Sequence, residues 1–372
     1  MKAPTQRHHL SYLDGIRGAS ALTVVIGHSA NAAGMGNVDL FGFGAGSAVD
    51  VFMILSGYLM VYQAVQRKAH NDFAAFTKAF YIRRYFRIAP LYYLALAVAY
   101  TFRGYFLNLA QEADASLPSL FISNAVAGLT GSAFSVAHFL CHITFIWGFL
   151  PMLNLGSVLP DWTLTLEAQF YLVFPLLFLW LYRQSTFMPT LVLLGVCSVL
   201  SRLLEPYFGY YATVLPLKLD LFLAGMLLAW SKWEPSAAKI LCVALAFLCV
   251  KGRVLDVTLC LILLCDYGRE APGVPWLSRT AAAANSILGC GVARFFADMS
   301  YGIYLIHVFI LIPVLYLFCK FHWFLELSNP VRFLVLAAPV TILSTLVSVP
   351  LHYGVEQVGI RCGQYLIKKS KA

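Results

Sequence analysis

Charge is what this sequence has least of. Only 12% of its 372 residues are Asp, Glu, Lys or Arg, against 60% hydrophobic, and the mean hydropathy is +0.76. A soluble domain of this size cannot build a polar coat from such a composition, so most of its solvent must be lipid. The alternating segments of a membrane β-barrel are missing as well. In their place, stretches of roughly 17 to 25 mostly apolar residues recur, each long enough to cross ~30 Å of hydrocarbon as a helix. The nine cysteines include no CxxC pair, which removes the usual zinc and thioredoxin-like readings. Cys197, Cys242, Cys249, Cys260 and Cys319 sit in apolar runs as small core or lipid-facing residues. Lys2 and Arg7 precede Asp14 and Arg17, which interrupt the apolar core a cleavable signal peptide needs, so a retained first helix is expected. No soluble domain, linker, low-complexity tract or inverted repeat stands out. Residues 1–372 read as one membrane domain.

What charge there is has a sign, +9 overall. With no soluble basic domain to carry it, membrane topology explains the excess and nucleic acid does not. The predicted fold is all-α, a polytopic bundle of about ten spans: 12–31, 46–65, 80–102, 160–182, 187–204, 213–231, 236–250, 254–268, 294–318 and 331–354. The stretch 117–153, broken by Pro118, His138, His142 and Pro151, reads as a loop or re-entrant segment. With ten spans and both termini cytoplasmic, the cytoplasmic loops hold Arg67, Lys68, Lys78, Arg183, Lys232, Lys239, Arg269 and Arg279. A basic tail, 361–372, adds Arg361, Lys368, Lys369 and Lys371. The outer face keeps Glu112 and Asp114 with scattered bases such as Lys251 and Lys320. An eleventh span at 138–153 inverts every later loop and spoils that asymmetry.

Ionisable side chains inside spans cost several kcal/mol unless they face a partner or a cavity, so each is a functional candidate. Arg17 and His28 are eleven residues apart, close to three turns, and share a helix face roughly 16 Å apart along the axis. Asp14 and Arg17 are i,i+3 neighbours, and an ion pair accounts for them as well as chemistry does. The second span opens with Ser47, Asp50 and Ser56-Gly57, and the third with Arg83, Arg84 and Arg87. Those arginines are either snorkelling anchors or a ligand clamp. Glu167 lies about a turn and a half into the fourth span. Ser300, Tyr304 and His307 recur at i, i+4 and i+7, as do Ser348, His352 and Glu356, which suits a lined cavity. Hydrogen-bonded packing is the plainer reading of His307 and His352. His28, deep in an apolar helix, suits a general base.

Six segments carry a resemblance. Leu13-Asp14-Gly15-Ile16-Arg17-Gly18 with His28 resembles the opening helix of the acyltransferase-3 family of membrane acyltransferases. In the same order come Val49-Asp50-Val51-Phe52 through Ser56-Gly57-Tyr58, then Arg83-Arg84-Tyr85-Phe86-Arg87-Ile88-Ala89-Pro90. Trp162-Thr163-Leu164 with Glu167, Phe170 and Tyr171 follows, then Ser300-Tyr301-Gly302-Ile303-Tyr304-Leu305-Ile306-His307, then Val355-Glu356. The sequence departs at Thr163, where serine is usual, at Met53, where phenylalanine is common, and at Gln357, where proline is frequent. The appended hydrolase-like domain of some members is not found, so acceptor handling is expected in the membrane domain or through a partner.

The resemblance implies an O-acyltransferase that takes an acyl group, acetyl foremost, from cytoplasmic acyl-coenzyme A to a hydroxyl of a surface or lipid-linked glycan or glycolipid. A bacterial cytoplasmic membrane is the expected location, and no metal is expected. Arg83, Arg84 and Arg87 are then candidates for the donor phosphates and Arg17 for the donor's thioester end. His28 becomes the base or a transient acyl carrier, with Asp50 and Glu167 orienting it or holding sugar hydroxyls. Asp14, Ser300, Tyr304, His307 and Glu356 are substrate-binding or structural. From the residues alone a transporter or flippase ranks level with an enzyme. A scaffold with polar interhelical contacts is a third reading and leaves the Arg17–His28 alignment unexplained.

Overall fold

The computed structural model describes residues 10–36, 44–67, 69, 71–131, 136–150, 157–183, 188–208, 213–233, 236–268 and 274–370. Lys2, Arg7, Lys68, Arg269 and Lys371, counted above for topology, lie outside the described residues. Every regular element among those described is helical. In chain order these are α1 (Ser11–Ala30), α2 (Ala45–Gln66), α3 (Phe73–Thr101), α4 (Arg103–Ser116), α5 (Leu120–Gly131), α6 (Val136–Ile143), α7 (Trp162–Arg183) and α8 (Met188–Phe208). There follow α9 (Leu219–Ser231), α10 (Ser236–Cys249), α11 (Arg253–Tyr267), α12 (Pro275–Leu288), α13 (Gly291–Cys319), α14 (His322–Glu326), α15 (Asn329–Leu351) and α16 (Gln357–Lys369). Among the described residues four helical stretches are long and apolar enough to cross a membrane: Ala45–Gln66, Trp162–Trp180, Gly291–Cys319 and Asn329–Lys369. The protein is an integral membrane protein. Among its described residues the stretch 117–153 holds the short helices α5 and α6 and a 3-10 turn, Trp147–Phe149.

The chain divides into two compact units, with the divisions inside α1, α2, α3, α7 and α13. The first unit comprises Met1–Ser20, Val49–Tyr81 and Leu166–Asp298. Its α2 and α9 meet backbone to backbone: a Cβ on Gly57 would lie 2.0 Å from the Phe222 carbonyl oxygen, and one on Gly225 1.9 Å from that of Ile54. Small residues at a crossing are how helices in lipid gain close packing, since lipid removes most of the hydrophobic drive between them. Phe170 of α7 stacks on Phe222 at 4.0 Å between ring centres. A polar knot joins four elements. Tyr12 and Tyr58 donate to the two oxygens of Asp266, each at 2.6 Å, and Lys232 pairs with the same carboxylate.

The second unit comprises Ala21–Ala48, Ile82–Thr165 and Met299–Ala372. Here α1 runs into a π-turn, Asn31–Met35, with Gly34 at φ 86. Asn31 accepts the Phe121 N–H at 2.8 Å, and Asn329 donates to the Gly34 carbonyl at 2.8 Å. The buried Arg332 guanidinium donates to the carbonyls of Ala33, Phe324, Leu325 and Leu327. Spreading the charge over carbonyl dipoles, with its planar fork of donors, is how a guanidinium remains buried. Lys320, just past α13, pairs with Glu112 of α4, and that bond holds the ammonium above its ordinary range. Elsewhere in this unit α16 lies on α3, where a Cβ on Gly359 would come within 2.6 Å of the Phe86 carbonyl. Tyr301 donates to the Ile88 carbonyl at 2.9 Å, tying α13 to the arginine-bearing helix.

Candidate active site

His28 of α1 and His307 of α13 meet in the second unit. His28 Nδ1 lies 2.8 Å from His307 Nε2, with the rings stacked at 5.0 Å between centres. Phe121 packs on the other ring contact of His28, at 4.9 Å. His307 is fully buried, whereas His28 is half-buried and is the member of the pair open to an incoming group. Helix α13 supports the pair from below: His307 Nδ1 lies 2.7 Å from the Tyr304 carbonyl oxygen, one turn back. The Tyr304 hydroxyl donates to the Pro160 carbonyl at 2.5 Å and lies 2.8 Å from Thr163 Oγ1. Pro160 accepts the phenol's one proton, so Thr163 is the donor in the second bond. Threonine in place of the usual serine keeps that donor.

The same corner of chain bears a second buried group. Asp161 accepts from Tyr92 at 3.0 Å on the oxygen that His142 Nδ1 approaches at 3.2 Å. The His142 ring stacks on Trp147 at 4.8 Å, and Tyr100 bonds His138 Nδ1 at 2.5 Å. Sequence reasoning treated His138 and His142 only as interruptions and passed over Asp161 and Tyr92. The available signal was two histidines at i,i+4 on an apolar segment, with an acid immediately before Trp162.

The remaining candidates divide between the units. In the first, Asp50 pairs with Lys218 at 2.8 Å, and Glu167 accepts from Ser56 at 3.3 Å and from Tyr171 at 2.9 Å. Asp14 and Arg17 are half-buried on α1 of that unit. In the second, Arg83, Arg84 and Arg87 are half-buried, and because α3 begins at Phe73 they lie well inside that helix and not, as the sequence had suggested, at its entrance. Ser300 is buried on α13, and Glu356 closes a π-turn, His352–Glu356, with its carboxylate 3.2 Å from His352 Nδ1. The sequence left Asp50 and Glu167 either to orient His28 or to hold sugar hydroxyls; the partner seen at His28 Nδ1 is His307.

The model of the acyltransferase domain family matches residues 10–349, and so takes in the whole histidine arrangement. The chain belongs to this family. Among curated relatives of the chain, the peptidoglycan O-acetyltransferase OatA of Listeria monocytogenes is 28% identical over 233 residues. That alignment covers 57% of this chain and 33% of the relative. YrhL of Bacillus subtilis, provisionally named a peptidoglycan O-acetyltransferase, is 27% identical over 371 residues, covering 88% of this chain and 51% of YrhL. An uncharacterized protein of Haemophilus influenzae is 28% identical over 141 residues, 37% of this chain and 50% of its own. The chain thus spans between a third and about half of the length of these relatives. No solved structure matches it.

Proposed function

We propose that this acyltransferase moves an acetyl group from cytoplasmic acetyl-coenzyme A to a hydroxyl of a surface or lipid-linked glycan, in a bacterial cytoplasmic membrane. The observation that carries the reading is the half-buried His28 bonded to buried His307 within an acyltransferase domain. His28 takes the proton of the acceptor hydroxyl as its oxygen attacks the thioester carbonyl. The C–O bond forms, the C–S bond breaks, and the proton passes from His28 to the departing thiolate, leaving an O-acyl glycan and free coenzyme A. Arg83, Arg84 and Arg87 bind the donor phosphates through charge-assisted bonds, and Arg17 adds a positive contact. Asp50 and Glu167 retain lone pairs beyond those used by Lys218, Ser56 and Tyr171, and hold sugar hydroxyls. Asp14, Ser300 and Glu356 serve the packing of their helices.

Ten spans with both termini in the cytoplasm accompany this reading. In the second unit the Asn329–Gly34 bond brings together two segments that must then share a membrane face. That supports an even number of crossings between them, as the ten-span count requires. In the first unit the close approach of Gly15 to Leu288 supports the same parity. In a background freed of the nine cysteines, a new cysteine at Asp114 should label from outside intact cells and one at Lys369 only with permeant reagents.

Since the names of two relatives point to peptidoglycan, that glycan is the first acceptor to test. Purified protein in lipid vesicles, given labelled acetyl-coenzyme A and the host's glycans, should produce an alkali-labile glycan ester. No labelled ester on any host glycan or glycolipid would sink the proposal.

A further inference from the structure

We infer that His307 is a positioning residue that sets the tautomer of His28 and thereby leaves His28 Nε2 as the basic atom. The inference rests on the reading of His28 as the base, and follows from counting protons along three groups. The Tyr304 carbonyl oxygen can only accept, so His307 Nδ1, 2.7 Å away, carries the hydrogen. A neutral imidazole has one N–H, so His307 Nε2 is bare and must accept. The atom opposite it, His28 Nδ1 at 2.8 Å, is therefore the donor. His28 Nε2 is left with an unprotonated lone pair.

The opposite assignment requires a charged His307. Its Nε2–H would then donate to His28 Nδ1, the His28 hydrogen would move to Nε2, and no lone pair would remain to take a proton. His307 is fully buried, and its bonds run to a backbone carbonyl and a second imidazole, so a cation there has no anion bonded to it among the described residues. Burying an unpaired charge costs far more than burying the neutral ring. The arrangement does for His28 what a carboxylate does for the histidine of a hydrolase triad, holding one nitrogen as a donor so that the other stays basic. It does so with a neutral group, which suits a site in lipid. Tyr304 holds the series in register from both ends: its carbonyl receives His307, and its hydroxyl is fixed on Pro160 and Thr163.

The test compares His307→Leu, His307→Gln and His28→Ala in labelled acetyl transfer and in NMR of the full-length protein with selectively 15N-labelled histidine. The His28 signal is the one lost in His28→Ala, and in the wild type it should report the Nδ1–H tautomer. In His307→Leu it should shift toward the Nε2–H form, with kcat falling about tenfold to hundredfold and the donor KM nearly unchanged. Glutamine offers an oxygen to accept the Nδ1–H and should restore most of kcat. A wild-type His28 carrying its proton on Nε2, or a leucine variant with unchanged kcat beside an inactive His28→Ala, overturns the inference and leaves the base reading standing. Activity retained in His28→Ala removes the base reading itself, while the tautomer is still read from the spectrum.

Discussion

The Asp266 knot of the first unit and the His28–His307 pair of the second are both polar groups set among apolar helices, and they end in opposite chemical conditions. At Asp266 both carboxylate oxygens are taken by phenols, and Lys232 neutralises the charge. Such a group is complete, and its energy goes into holding α1, α2, α9 and α11 in one arrangement. At His28, on the tautomer inferred above, the bonds run in one direction, toward His307 and the Tyr304 carbonyl, through neutral groups. A series of that kind leaves a lone pair at its start. If His28 is the base proposed above, what separates a polar site of reaction from a structural one here is that its local bonding is unbalanced.

The sharpest way to break this contrast is at its reactive end. His28→Ala should lower acetyl transfer by on the order of 10² to 10⁴-fold while expression, membrane insertion and thermal midpoint stay normal. Activity within about threefold of wild type would remove His28 from the chemistry. The complementary change is Asp266→Ala, which strands Lys232 and two buried phenols and should cost about 2–4 kcal/mol of stability. Thermal unfolding in detergent measures it, and transfer per folded molecule should hold; a lost rate at unchanged midpoint would make the knot a site of reaction too.

Smaller effects sharpen the comparison. Lysine at Arg83 or Arg87 keeps charge and snorkelling but loses the fork, so coenzyme A affinity should fall roughly tenfold to hundredfold, about 1.5–3 kcal/mol, by calorimetry. Unchanged affinity in both variants would reduce these arginines to anchors. Thr163→Val removes the donor to Tyr304 and should cost about 1 kcal/mol, whereas Thr163→Ser should match the wild type in midpoint and rate. Smallest of all, Glu112→Gln at the exposed pair with Lys320 should leave the melting curve unmoved.

Helices could be read from the sequence where each is set by its own apolar length. The expected 12–31 and 46–65 became Ser11–Ala30 and Ala45–Gln66, and 236–250 became Ser236–Cys249. Where the boundary depends on a cap, hydropathy misplaced it. Helix α3 begins at Phe73, well before the expected residue 80, because Asp72 accepts the Ala75 N–H at 3.0 Å and starts the helix outside the apolar run. Helix α12 was not anticipated, since Ser278, Arg279, Thr280 and Asn285 dilute its apolar content. For the site, periodicity brought Tyr304 and His307 onto one face of α13, and the i,i+11 spacing singled out His28. Their meeting joins residues 279 positions apart, which no local pattern encodes. Packing was the plainer sequence reading of His307 because a buried histidine and a positioning histidine look alike until the partner is known.

The reciprocal glycines of α2 and α9 bear on how freely this protein can vary. With Phe222 and Ile54 carbonyls about 2 Å from where a methyl would stand, neither Gly57 nor Gly225 has room even for alanine. Gly46 and Gly104 have nothing within 4 Å of that point. A saturation library selected for folded protein should return glycine alone at the first two positions and a broad alphabet at the others. The crossing of these two helices is thus a point at which the fold accepts no substitution, while glycines in open surroundings drift.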